Sequence, residues 1–117
     1  MEEKLTSKAQ NYYLLGMYAE KKLMNAEAVA NYFKSLFALA DLQIRQKAEK
    51  TPKDHTERFA LLKQYDPFSY EILDSIFFIY RETYTKEISK ARVEFIRGKL
   101  DEIFNHIRIK KPAEKDI

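Results

Sequence analysis

The residues best suited to chemistry lie at the end of an apolar stretch, where Arg81 interrupts the sequence IFFIYRETY. A guanidinium presents a planar set of donors that suits a phosphate or a carboxylate. Tyr80 and Tyr84 flank this arginine, and Glu82 and Thr83 add polar atoms, so the segment could form a ligand-binding cleft. In the alternative interpretation, Arg81 bonds the free carbonyls of a last helical turn and pairs with a carboxylate.

The two histidines are the other titratable candidates. His55 follows a polar loop and precedes a predicted helix, where it either packs over the loop or contributes to a binding site. His106 lies near a helix C-terminus, where its charge would oppose the negative end of the helix dipole. With Glu102 it offers only two metal ligands, so we predict no metal site and no cofactor. Gly16 and Gly98 are isolated, which excludes the glycine-rich nucleotide-binding motifs.

The composition narrows the class of protein. The chain has 117 residues, enough for one domain with a modest core. Its 45% hydrophobic and 33% charged residues argue against global disorder. The absence of cysteine excludes disulfides and thiolate metal sites. An acidic N-terminus and no apolar run of about 20 residues lead us to expect a cytoplasmic protein without a membrane span. The net charge of +3 is too small for a dedicated nucleic-acid binder but leaves room for a local RNA-binding patch.

Apolar residues that recur at three- and four-residue steps predict four long helices and one short one. We expect N-caps at Asn25, Thr51 and within Thr83–Thr85, because hydroxyl and amide oxygens accept from free first-turn N–H groups. Gly16, inside the first helix, predicts the close approach of a neighbouring helix. The first helix is expected at residues 5–22, and the second is expected to follow Asn25 and run to about residue 47. The third is expected to begin at Pro52 and to be stopped by Asp66-Pro67. The fourth is expected to begin at Pro67 and to end near Arg81, and the fifth to run from about 86 to 107.

The predicted fold class is all-α, an antiparallel up-and-down bundle of four long helices plus one short helix. Residues 1–108 are expected to form a single domain, followed by a disordered basic tail at 109–117. The fourth helix has more apolar surface than one small bundle is expected to cover, so we predict a homodimer.

Three features, taken in order, resemble the HEPN domain, a nucleotide-binding helical family. They are the second helix NAEAVANYFKSLFALADLQI, the loop into PKDHTERFALL, and IFFIYRETY followed by a long amphipathic helix. The resemblance spans residues 5–107. It implies a HEPN-like bundle that dimerises through its last long helices, with a cleft at the interface. Members of the family include RNases, toxins paired with nucleotidyltransferases, and binding modules.

The catalytic members of that family carry an arginine followed, after four to six residues, by a histidine. Arg81 matches the arginine, but positions 86–88 are Lys86, Glu87 and Ile88. The resemblance therefore implies a non-catalytic module that binds a nucleotide, RNA or a nucleotidyltransferase partner, in a toxin–antitoxin-like context. Two alternatives remain: a divergent metal-independent RNase using Arg81 with Glu87 or Tyr84, and a purely structural dimerisation protein. The predicted ligand-binding residues are His55, Tyr80, Arg81, Glu82, Thr83 and Tyr84.

Overall fold

A computed structural model describes residues 1–117 and contains five α-helices, one short 3-10 helix and no strand. The predicted all-α class, with four long helices and one short one, is confirmed. None of the helices combines the length and the apolar character that crossing a membrane requires. The helices are α1 (Glu2–Lys21), α2 (Asn25–Ala48), α3 (His55–Tyr65), α4 (Pro67–Glu82), α5 (Lys90–Ile107) and the 3-10 helix (Glu114–Asp116).

The central element is α2, which contacts each of the other four α-helices. Of the 24 residues in α2, 13 are buried, so only a narrow face of the helix is exposed to solvent. Small side chains such as Ala28 and Ala40 alternate along it with large ones such as Tyr32, Phe33 and Phe37. This alternation lets several helices approach α2 closely, because large side chains of one helix fit beside small ones of another.

The long helices alternate in direction. The Ser35 hydroxyl donates to the carbonyl of Ala9, whereas Tyr32, earlier in α2, reaches Glu20, later in α1. The later residue of α2 contacts the earlier residue of α1, which shows that α1 and α2 are antiparallel.

The short helix α3 departs from this alternation and runs in the same direction as α2. Its first residue, His55, lies against Phe37, and its next turn places Arg58 against Asp41. Near its end, the carbonyl of Tyr65 accepts from the Lys47 ammonium. The loop at residues 49–54 therefore returns along α2 before α3 begins.

Helix α1 begins at Glu2 rather than at residue 5, and the N-caps of three other helices differ from the prediction. Asn25 is the first residue of α2 rather than its cap, and its side-chain amide donates to the carbonyl of Ile88 at 3.0 Å. Helix α3 is capped by Asp54, which accepts from Glu57 N at 2.9 Å, and not by Thr51. Helix α5 starts after Ser89, whose hydroxyl accepts from the first turn, and not after residues 83–85. Several neighbouring polar residues have side chains able to cap the start of a helix. Tertiary packing decides which of these residues takes the extended backbone conformation that an N-cap requires.

The predicted close approach at Gly16 is confirmed. A Cβ there would lie 3.0 Å from Cγ of Tyr32 and closer still to two other ring carbons. Gly98 has no atom within 4 Å of the same hypothetical position, so no packing constraint applies there.

The C-terminal segment 109–117, predicted to be a disordered tail, lies in the structure against α1 and α5. The Gln10 side chain donates to the carbonyl of Lys110 at 3.0 Å, and the Lys111 ammonium lies 3.3 Å from a carboxylate oxygen of Asp101. A third contact pairs Lys21 with Glu114 at 3.5 Å. These polar partners are distant in sequence, so the pattern within the segment could not indicate them.

Candidate functional site

Aromatic rings from three helices meet beside the C-terminal end of α4. We call Phe37, His55, Phe77, Tyr80 and Tyr84 the aromatic surface. The centroids of Phe37 and His55 are 4.6 Å apart, and those of Phe37 and Tyr80 are 5.3 Å apart. Tyr80 continues to Tyr84 at 5.7 Å. The fold thus brings His55, from the start of α3, to the segment around Arg81 that sequence analysis singled out.

Arg81 is exposed and lies over this surface, with its guanidinium carbon 5.7 Å from the ring centroid of Phe77. Its side chain makes no ion pair and no hydrogen bond within the chain. The interpretation in which Arg81 pairs with a carboxylate of its own chain therefore does not hold. Its donors remain available to a ligand.

The polar groups next to Arg81 already form hydrogen bonds or ion pairs within the chain. The hydroxyls of Tyr80 and Tyr84 are 3.1 Å apart. Burial, followed by this hydrogen bond, raises the pKa of Tyr80 to about 12, so the residue stays protonated at neutral pH. Thr83 donates to the carbonyl of Tyr80 at 2.7 Å. The carboxylate of Glu82 is paired with Lys86 at 3.3 Å.

His55 belongs to a hydrogen-bonded chain with Arg58 and Asp41. Arg58 binds Asp41 through two nitrogens, at 2.6 and 3.1 Å, and its Nη1 lies 2.7 Å from Nδ1 of His55. A guanidinium can only donate, so Nδ1 accepts and the ring is neutral with its proton on Nε2. Burial, followed by the charge of Arg58, lowers the pKa of His55 and maintains this form.

Sequence reasoning did not single out Arg58 or Asp41. The available signal was weak: Arg58 lies three residues after His55, a spacing at which helical side chains meet. Asp41 comes from another helix, and only tertiary packing supplies it.

A small groove of about 230 Å³ adjoins the aromatic surface between α2 and the end of α4. Tyr80, Thr83 and Tyr84 line one side, and Lys34 and Glu27 are among the residues of α2 on the other. The charges of Lys34 and Glu27 offset each other, and Arg81 adds an unpaired positive charge beside the groove.

Glu87 lies outside the helices. It is exposed in the connection between α4 and α5 and makes no hydrogen bond or ion pair. No histidine follows Arg81 in α4 or in that connection. The ring of His55, from α3, has its centroid 6.2 Å from that of Tyr80.

His106 lies elsewhere, in a hydrogen-bonded network at the junction of α3 and α4. Its Nε2 is 2.9 Å from Asp66, a carboxylate that is 2% exposed and that also accepts from Gln43 and Ser69. His106 stacks on Phe68, with centroids 4.3 Å apart. Every buried side-chain polar atom has a hydrogen-bond partner within the chain. The network around Asp66 is therefore accounted for by its contribution to the fold, without a ligand.

The chain contains no group of three or more acidic or histidine side chains placed to hold a metal ion. No protein-family model, no curated protein and no solved structure matches the chain.

Proposed function

We propose that the chain is a HEPN-like, non-catalytic module that binds a nucleotide or a short single-stranded RNA on the aromatic surface beside Arg81. One observation carries the proposal: an exposed guanidinium without a protein partner lies next to exposed and half-buried aromatic rings. Guanidinium groups bind phosphate through paired hydrogen bonds, and aromatic faces bind bases by stacking.

The stacking platform is Tyr84, which is 73% exposed, together with the half-buried Tyr80. Stacking of one base on an aromatic side chain contributes about 1–3 kcal/mol and tolerates any base. The ring of Tyr84 leaves most of its surface open to a base. Its exposure beside Arg81 supports a role in binding.

The donors of the surface also suit an anion. Arg81 carries a free positive charge, and neutral His55 offers the proton on Nε2. Two carboxylates of this region are already compensated, since Asp41 is bound by Arg58 and Glu82 by Lys86. A phosphate placed here would meet donors and little repulsion.

The size of the groove favours an extended ligand over an enclosed one. At about 230 Å³, it falls below the roughly 300–1,000 Å³ of enclosed small-molecule sites. It could take one phosphate or sugar, while the rest of the ligand lies on the open aromatic surface.

The test is a titration of fluorescently labelled single-stranded RNA and of nucleotides, followed by anisotropy. Loss of a charged hydrogen bond of about 1.5–3 kcal/mol predicts that Arg81→Ala binds at least about tenfold more weakly. Arg81→Lys should bind at an intermediate strength, and Lys8→Ala, which removes an exposed charge elsewhere, should bind as the wild type does. Absence of binding, or unchanged binding by Arg81→Ala, would overturn the proposal.

An apolar face on α4 and α5 favours a second role, in association. Phe78 and Phe95 are 43% and 47% exposed, and each ring has a cation above it, Arg92 at 5.3 Å and Lys99 at 5.5 Å. This face supports the proposed homodimer, or docking of a nucleotidyltransferase partner. If it mediates the dimer, Phe78→Glu should halve the mass measured by light scattering, whereas Leu15→Glu, a similar change on α1, should not.

The RNase alternative receives no support from Glu87. Incubation of labelled RNA with the wild type and with Arg81→Ala distinguishes RNase activity from binding alone. If the chain only binds RNA, the wild type should cleave no more than the variant does.

A further inference from the structure

A second cleft is lined by residues that do not include Arg81 or its neighbours. It has a volume of about 690 Å³, within the range of small-molecule sites, and is formed by α1, α5 and the C-terminal segment. We call it the tail cleft. It shares no residue with the aromatic surface or its groove.

Glu20 and Asp101 each engage both carboxylate oxygens in the tail cleft, whereas Glu114 pairs with Lys21 through one oxygen only. Glu20 accepts from Tyr32 at 2.8 Å through one oxygen and pairs with Arg97 through the other. Asp101 accepts from Tyr13 at 2.8 Å through one oxygen and pairs with Lys111 through the other. Burial, followed by the hydrogen bonds to these carboxylates, raises the pKa of both tyrosines, so their protons remain in place.

Several basic groups of the cleft are not engaged. Arg97 uses only Nη1 in its ion pair, so the donors on Nε and Nη2 have no protein acceptor. Lys90, at the start of α5, makes no ion pair or hydrogen bond and is exposed. Arg97 and Lys90 therefore supply unpaired donors that carry positive charge.

Leu23 adds an independent observation. It lines the cleft, its side chain is 74% exposed, and its φ of 61° lies in the left-handed region. It follows α1 at the position where helices prefer glycine, because a side chain in this conformation is strained. The leucine therefore presents an exposed apolar side chain at the cleft, where it can contact the apolar part of a ligand.

We infer that the tail cleft binds a small organic anion, a phosphate or carboxylate joined to an apolar body. Arg97 and Lys90 bind the anionic group. Leu23, Met17 and Ile117 contact the apolar body. The C-terminal segment forms one wall of the site, held by the contacts of Lys111 and Glu114 described above.

Phenyl phosphate combines both ligand features and is the probe for this site, with NMR chemical shifts of backbone amides as the readout. Saturable shifts confined to residues of the cleft are expected, with half-saturation on the order of millimolar or tighter. Inorganic phosphate and benzyl alcohol, which each carry one feature, should bind at least about tenfold more weakly. Absence of saturable shifts, equal binding by inorganic phosphate, or shifts centred on Arg81 would overturn the inference.

Two variants separate binding from folding. Lys90→Gln removes an unpaired exposed charge and should weaken phenyl phosphate at least about threefold. Leu23→Gly relieves backbone strain, so it should raise the unfolding temperature while weakening phenyl phosphate. Unchanged affinity in both variants would refute the site, even though the fold is intact.

Discussion

The contact between Gly16 and Tyr32 gives the sharpest test of how α1 packs on α2. In an unconstrained helix, Gly→Ala stabilises by about 1 kcal/mol. Here the added methyl would overlap the ring of Tyr32, which is fully buried. The ring cannot move freely, because its hydroxyl donates to Glu20 at 2.8 Å.

The magnitude follows from these opposing effects. Overpacking of a filled core costs about 1–3 kcal/mol, and weakening a hydrogen bond to a charged group costs about 1.5–3 kcal/mol. Taking about 3 kcal/mol for the combined strain and subtracting the helix-propensity gain leaves a destabilisation of about 2 kcal/mol for Gly16→Ala. At this chain length, that is a fall of about 8 °C in the unfolding temperature.

Gly98→Ala is the matched control, since the new methyl at Gly98 meets no atom within 4 Å. Gly98→Ala should raise the free energy of unfolding by about 1 kcal/mol, the difference in helix propensity between glycine and alanine. Urea unfolding followed by circular dichroism measures both. If Gly16→Ala also stabilises the protein, the close approach of α1 and α2 is not as described, and the argument for glycine at position 16 fails.

Three further predictions concern charged and titratable groups. Burial would raise the pKa of Asp66, but hydrogen bonds from Ser69, Gln43 and His106 outweigh it and lower the pKa. The ionised carboxylate therefore stabilises the fold above about pH 4, and this stability is lost as pH falls through the lower folded-state value. Asp66→Asn should lower the free energy of unfolding by about 3 kcal/mol at pH 7. It should also reduce the loss of that free energy at acidic pH, measured by urea unfolding; an unchanged pH dependence would contradict this. His55 has a lowered pKa, so the stability from its neutral ring is present above about pH 6.5 and declines below it. NMR titration should place His55 below the ordinary value, and a value at or above about 6.5 would refute the Arg58 contact. Arg81→Ala should lower the unfolding free energy by no more than about 1 kcal/mol, because the side chain is exposed and its contact within the chain is with the Phe77 ring; a larger loss would indicate a structural role.

The sequence determined the helical elements of this protein. Apolar residues at three- and four-residue steps are a local property of each helix, and they indicated four long helices and one short one. The boundary at Asp66-Pro67 was equally local, since the residue before proline avoids helical geometry. Gly16 also carried its own signal, because a glycine inside a helix indicates close approach.

The partners of the polar side chains were decided by the tertiary structure. Asn25 could have capped α2, but packing places the carbonyl of Ile88 within its reach. Arg58 meets Asp41 and His55 only because α3 lies along α2 in the same direction. Periodicity records which face of one helix is buried, but not which residue of another helix lies opposite. The candidate sites therefore depend on contacts between helices, which no single segment of the sequence contains.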